Sequence, residues 1–527
     1  MRVNIPGKGV LEGVTLLDST TKNPKCHRFS RVPFALPPTG PHRWRKPHAL
    51  PSTYSYGSEA SPGQYRNPSS VCPQPRVFGR QFTIHDEDCL QSNIWIPLGK
   101  PPDGGWPVFF YIHGGFLQFG SNNFDDPSAL LAETGVKCII VSPGYRLGLF
   151  GFLASRELWE DGSPAANFGF WDQRLALEWT YENIKHFGGN PENITVGGLS
   201  AGSYATFHQL AFDVGPNAKK QIIRRVFQWS NGCGVQPKAL SEVQQQFDDL
   251  LHVLGVPAGY TQPQKLERLR EFSADELTAA VNSMKQKFFR PIMDGDFMSE
   301  DLFPSIFDGR FGQRLKELGI QTIIGDLTQE FHLYKNVYSP TSYETLANRL
   351  SWDYPRHVTL AITSPYKPSA SSGSKPTEYW KDLFGRLYAD MQIHSTMRGY
   401  IKSISATLPL SNIHRYRIDW RTASVDKRLP KGVGATHGTD MSIWFFGNGD
   451  SLTTSEKVMI KEWLKPVANF IQGKPVNWGT TSLGQVKYIT EAGDIEIKDD
   501  EAWEDKLPLW ELTKQVTKTA PLSKPRL

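Results

Sequence analysis

The sequence predicts an α/β fold in which buried strands end in tight glycine turns that feed helices, and three observations carry that prediction. The apolar run Ile194-Thr195-Val196 passes through Gly198-Leu199-Ser200-Ala201-Gly202 into a helix-like stretch from Ser203 to Leu210. A second apolar run, Val108-Phe109-Phe110-Tyr111-Ile112, stops abruptly at His113-Gly114-Gly115-Phe116. The 527 residues show no internal repeat and no linker, so although length alone suggests about three or four domains, one large α/β unit spanning 1–527 is the better expectation.

The first run has the strand–turn–helix setting in which the serine of a G-x-S-x-G pentapeptide becomes a nucleophile. A sharp, strained turn puts the serine backbone where bulky neighbours would clash, which is why the positions two before and two after it are small. In a chain with 46 glycines the pentapeptide alone is modest evidence. The second run strengthens it. A strand running into a glycine pair lets two backbone N–H groups approach a tetrahedral oxygen closely, and the residue after the nucleophile, Ala201, supplies a third donor. The plain alternative for Gly114-Gly115 is a strand-ending turn. It loses once the serine elbow follows later in the chain, in the order expected of an α/β-hydrolase.

Several separate blocks then make the chain resemble the type-B carboxylesterase and cholinesterase family over nearly its whole length. They are Phe34-Ala35-Leu36-Pro37-Pro38-Thr39-Gly40, Glu87-Asp88-Cys89-Leu90, His113-Gly114-Gly115-Phe116, Tyr145-Arg146-Leu147-Gly148, Trp171 to Trp179, Phe187-Gly188-Gly189-Asn190-Pro191 and the elbow itself. The resemblance implies one α/β-hydrolase domain with a large mixed, mostly parallel sheet flanked by helices, and helical insertions around an active-site gorge. The region Leu240 to Lys287 is helix-patterned, with apolar spacing at Phe247, Leu250, Leu251 and Leu254. It is compatible with a gorge wall and equally with packing against the sheet.

The remaining catalytic residues follow the order serine, acid, histidine. The family's acid is a glutamate in a Gly-x-Asn-x-Asp-Glu-like setting. In Gly325-Asp326-Leu327-Thr328-Gln329-Glu330, Glu330 has the matching spacing, with Leu327 and Gln329 replacing the asparagine and the acidic neighbour. Asp326 is the competing acid; its place after the glycine suggests a turn or helix-cap residue. His437, in Gly434-Ala435-Thr436-His437-Gly438-Thr439-Asp440, matches the family's His-Gly-x-acid loop. His332 stands two residues from Glu330, where that carboxylate does not easily orient it. The expected triad is therefore Ser200, Glu330 and His437, with Gly114, Gly115 and Ala201 as the oxyanion hole. Ser230 matches a family serine that hydrogen-bonds behind the triad.

Departures from the family bear on substrate. The residue before the nucleophile is usually glutamate and here is Leu199, which removes a negative charge beside the reacting centre. The segment between Cys72 and Cys89 carries Phe78 and Phe82 but no tryptophan. A quaternary ammonium would lack both counter-charge and cation–π platform. The expectation is a serine carboxylesterase for neutral, fairly apolar esters. The same triad would serve a lactonase, amidase, carbamate hydrolase or acyltransferase, since all pass through an acyl-enzyme. A catalytically silent interaction protein is the remote alternative.

The net charge of +5, from 58 basic and 53 acidic residues, comes without a concentrated basic tract, so no nucleic-acid partner is expected. No phosphate loop, Cys-x-x-Cys pair or His-Glu-x-x-His is present, and the expectation is no cofactor and no metal. The N-terminus lacks an apolar signal-peptide core and no stretch is long enough to anchor in a membrane, which makes cytoplasm the default. The terminal Lys524-Pro525-Arg526-Leu527 loosely resembles a peroxisomal signal. Cys72 and Cys89 match the family's first disulfide pair, a pairing in tension with a reducing compartment. Asn193-Ile194-Thr195 fits a glycosylation sequon on the strand entering the elbow, and burial argues against its use. Ser369 to Pro376 reads as a surface loop.

Overall fold

The computed structural model describes residues 1–75, 85–161, 165–368 and 375–519. Phe78, Phe82, most of the 369–376 stretch and the last four residues lie outside them. A small N-terminal sheet joins β1 (Arg2–Ile5), β2 (Gly9–Glu12) and β5 (Gly63–Gln64). The main sheet is built from β3 (Val14–Leu17), β4 (Pro24–Pro33), β6 (Gln91–Pro97), β7 (Trp106–Ile112), β8 (Ile139–Pro143), β9 (Gly189–Leu199), β10 (Ile223–Trp229), β11 (Gln321–Leu327), β12 (Ile413–Ile418), β13 (Gln485–Ile489) and β14 (Ile495–Asp499). Its spatial order is β14-β13-β12-β11-β10-β9-β7-β8-β6-β4-β3. From β8 to β13 every pairing is parallel, while both margins are antiparallel. This is the mixed, mostly parallel sheet that the family resemblance implies.

The central strand β7 reads as a nearly continuous apolar run because both faces of a parallel sheet are covered. In β7, Val108, Phe110 and Ile112 enter one hydrophobic cluster while Phe109 and Tyr111 enter the other. The same two-residue alternation splits Ile323 from Ile324 in β11. The larger cluster also takes up Phe247, Leu250 and Leu251 of the helix Leu240–Val253. The predicted helices of the 240–287 region, Leu240–Val253, Gln262–Glu271 and Ala274–Ser283, thus bury their apolar stripes in the main core. No helix among the described residues is long and apolar enough to cross a membrane.

Register brings the functional segments together. Ile112 is paired with Gly198, and Trp229 with both Leu199 and Gly325. The carboxyl ends of β7, β9, β10 and β11 therefore stand side by side, and the turns that leave them share one edge of the sheet. Ligands of open α/β sheets bind at that edge.

Candidate active site

Ser200 caps the helix Ala201–Asp213 with φ 58° and ψ −122°, a strained backbone for a non-glycine residue. Its N–H donates to the Trp229 carbonyl at 2.8 Å, which anchors the turn to β10. The flanking glycines are required by contact. A Cβ on Gly198 would stand 2.6 Å from the Gly202 carbonyl carbon, and one on Gly202 2.8 Å from that of Ile112. The helix N-terminus faces the serine, so its dipole favours negative charge there.

The turn after β7 approaches from the other side. A Cβ on Gly114 would lie 2.8 Å from the Leu199 oxygen and 3.3 Å from the Ser200 Cβ. Gly115, Phe116 and Leu117 all have positive φ, at 118°, 58° and 63°. Polar side chains hold this costly turn. Arg290 Nη1 donates to the Phe116 carbonyl at 2.6 Å, and Gln118 bridges it to Phe289. The N–H groups of Gly114, Gly115 and Ala201 donate to no partner among the described residues. His113 stacks on Tyr145 and is held neutral by burial, which lowers it to about 4.

Glu330 opens the short helix Phe331–Tyr334 and is fully buried. One carboxylate oxygen accepts the Leu327 N–H at 3.0 Å, and the other lies 2.6 Å from His437 Nδ1. The two loops are tied by the Gln329 N–H donating to the Ala435 carbonyl at 2.9 Å. Asp440, one turn past His437, is raised to about 6 by burial and, secondarily, by the Glu330 charge, against the 2.7 Å hydrogen bond from Trp444.

Among the described residues, no hydrogen bond joins Ser200 to His437. The Ser200 side chain instead meets the phenol of Tyr334, whose oxygen is nearly equidistant from the two His437 ring nitrogens at 3.4 and 3.5 Å. Tyr334 stays protonated because burial, and then the Glu330 charge, raise it well above an ordinary phenol. Catalytic hydrogen bonds are often loose before substrate binds.

Two expectations change on contact with the structure. Asp326 is not a turn or cap residue. It lies inside β11, buried, 2.6 Å from His394 Nδ1 and 2.9 Å from Arg398 Nη1. Burial works to raise it, but Arg398 and Arg417 hold it well below the usual carboxylate range. Ser230 follows β10 with φ 51°, and its buried hydroxyl has no partner among the described residues, so it is not joined to Glu330 or His437. Cys72 and Cys89 form a disulfide, whereas Cys26, Cys138 and Cys233 are buried thiols. Leu199 packs toward the histidine loop, 3.8 Å from the place of a Gly438 Cβ.

Sequence reasoning missed Tyr334, Arg290, Asp353, Tyr354 and Gln392, which line the cleft beside Ser200. Only Tyr334 carried a local signal, four residues after Glu330 and so on the same side of a helical turn. The others come from segments far apart in sequence.

A family model described as the carboxylesterase family matches residues 1–503. A carboxylic ester hydrolase of Gibberella moniliformis is 40% identical over 524 residues, covering 97% of this chain and 95% of the relative. An uncharacterized esterase/lipase of Schizosaccharomyces pombe is 40% identical over 516 residues, covering 95% and 94%. The para-nitrobenzyl esterase of Bacillus subtilis is 28% identical, with 92% and 93% covered. The crystal structure of Aspergillus niger EstA superposes with a TM-score of 0.77 over 98% of this chain and 99% of its own, at 20% identity.

Proposed function

The chain belongs to the carboxylesterase family and is a carboxylic ester hydrolase with the α/β-hydrolase fold, and we propose that it works as a serine esterase through Ser200, His437 and Glu330. The observation that carries this reading is the convergence of a strained serine, three N–H groups without a partner among the described residues and a histidine held 2.6 Å from a buried glutamate. A sheet that draws strands from Val14 to Asp499 supports treating the chain as one catalytic domain.

In the mechanism, His437 Nδ1 gives its proton to the hydrogen bond with Glu330, which leaves Nε2 as the base. As substrate enters, Ser200 exchanges its contact with Tyr334 for one with Nε2 and attacks the ester carbonyl. The oxyanion is received by the N–H groups of Gly114, Gly115 and Ala201, each worth about 3–4 kcal/mol by comparison with other hydrolases. The imidazolium then protonates the leaving alcohol, and water releases the acid by the reverse sequence. Glu330 steadies the imidazolium. Leu199 gives the histidine side of the site an apolar wall without negative charge, which favours uncharged, fairly apolar alcohols over choline.

The test is hydrolysis of p-nitrophenyl acetate, butyrate and octanoate, beside the Ser200→Ala variant and acetylcholine. The expected result is turnover of at least one aryl ester, lost in the folded variant, with Ser200 labelled by a fluorophosphonate. Activity retained in Ser200→Ala sinks the mechanism. Acetylcholine turnover matching that of the acetate ester sinks the alcohol preference.

A further inference from the structure

The cleft beside Ser200 is walled by polar groups that ester cleavage itself does not employ, among them Tyr204, Arg290, Tyr354 and Gln392. Ser200 and Ala201 touch it and His437 does not. In the proposed mechanism the imidazole must face the leaving alcohol to protonate it. The chain that runs from the carbonyl carbon away from His437, into this cleft, is therefore the acyl chain.

Arg290 and Asp353 line the cleft as one cation and one anion, and further cations stand behind them. Arg290 donates through Nε to Asp353 Oδ1 at 2.5 Å and through Nη2 to the Tyr388 hydroxyl at 2.8 Å. Arg349 takes the other Asp353 oxygen at 2.5 Å. One carboxylate thus serves two guanidinium groups, whose side chains are only 12% and 3% exposed. Burial works to raise Asp353, but Arg290 and Arg349 hold it below its ordinary value. Lys238, buried nearby with its ammonium on the Trp352 carbonyl at 2.9 Å, adds a third cation, lowered to about 8 by burial. The other carboxylate near Lys238, Glu242, is exposed to water, and Glu330 is taken by His437. A buried cation without a counter-ion is costly, and an anion entering the cleft would relieve that cost.

Two further donors are free to receive such an anion. Among the described residues the Tyr204 hydroxyl has no hydrogen-bond partner, though it lies within the field of Arg290. The Tyr354 oxygen accepts from Gln392 Nε2 at 2.5 Å, which leaves its own proton to donate. We infer that the cleft is an acyl subsite for chains ending in a carboxylate, so that the enzyme acts on half-esters of short dicarboxylic acids, with the carboxylate turned to Arg290, Tyr204 and Tyr354. The inference rests on the serine-esterase reading. Hydrolysis would acylate Ser200 with loss of the alcohol, and water would then release the dicarboxylate. The apolar preference read from Leu199 belongs to the alcohol half of the substrate.

Monoethyl glutarate and ethyl pentanoate have acyl chains of equal reach and differ in the terminal charge. Their kcat/KM values, followed by titration of released acid, should favour the glutarate by about tenfold or more, the range of a charge-assisted hydrogen bond. Arg290→Gln should bring the ratio to one or below. Tyr204→Phe, which keeps the ring and removes only the hydroxyl, should lower it severalfold and serves if the arginine variant does not fold. A ratio of one or less in the parent protein overturns the subsite, as does a preference that neither variant moves. Turnover of the pentanoate ester without preference leaves the esterase reading standing. Failure of folded protein to turn over either ester, with no fluorophosphonate label on Ser200, overturns both.

Discussion

Replacing Glu330 with glutamine isolates the charge of the acid with little change in shape. In the parent, one carboxylate oxygen is 2.6 Å from His437 Nδ1 and the other accepts the Leu327 N–H at 3.0 Å. The glutamine carbonyl can keep the Leu327 bond. Its NH₂ then faces Nδ1 and forces the imidazole tautomer with the proton on Nε2, the wrong nitrogen for a base. The imidazolium of the transition state also loses its counter-charge in a fully buried site. In serine hydrolases where the acid has been changed to its amide, kcat falls about 10⁴-fold, or roughly 5 kcal/mol. We expect a fall of about 10³–10⁴ here, with KM little changed because Glu330 does not reach substrate. The assay is kcat and KM on p-nitrophenyl butyrate, with circular dichroism to verify folding. Asp326→Asn is the companion variant. It removes the ion pair with buried Arg398 and should cost about 3–5 kcal/mol of stability while the folded fraction keeps its kcat within a few-fold. The reasoning is refuted if Glu330→Gln retains kcat within tenfold, or if Asp326→Asn is the variant that is folded and inactive.

Three other outcomes follow from particular contacts. Gly202→Ala would press a Cβ against the Ile112 carbonyl; we expect a loss of about 3 kcal/mol or more in urea unfolding, and parental stability would show that the elbow is not packed this tightly. Asp440 is raised to about 6 by burial, above the unfolded value of about 4. Its contribution to stability is therefore full below about pH 4 and lost as pH rises through 6. Asp440→Asn, which keeps an acceptor for Trp444, should gain stability over the parent by up to about 3 kcal/mol at pH 8 and by about 1 kcal/mol at pH 4.5; an equal melting-temperature difference at both values refutes the assignment. Cys72→Ser with Cys89→Ser opens a bridge spanning 17 residues and should cost about 3 kcal/mol against the oxidised parent, read by thermal unfolding with and without reductant.

What the sequence determined by itself is everything that depends on short range. The elbow is legible because a strained serine needs small neighbours two places away, and that spacing is written in consecutive residues. The Gly114-Gly115 turn is legible for the same reason, and β7 is legible as an apolar run because both faces of the sheet are covered. Glu330 and His437 are expected from the loops that carry them. The place of Asp326 is not legible locally because its partners, Arg398 and Arg417, lie some 70 and 90 residues further on, and no local pattern reports a buried ion pair. Tertiary structure alone decided the cleft. Arg290, Asp353, Tyr354 and Gln392 are brought beside Ser200 by packing over long sequence separations, and their charge balance exists only once two arginines share one carboxylate. Local chemistry thus fixed which bond the protein attacks. The sum of buried charges around Ser200 is a property of the assembled fold, because the residues that set it meet only through packing.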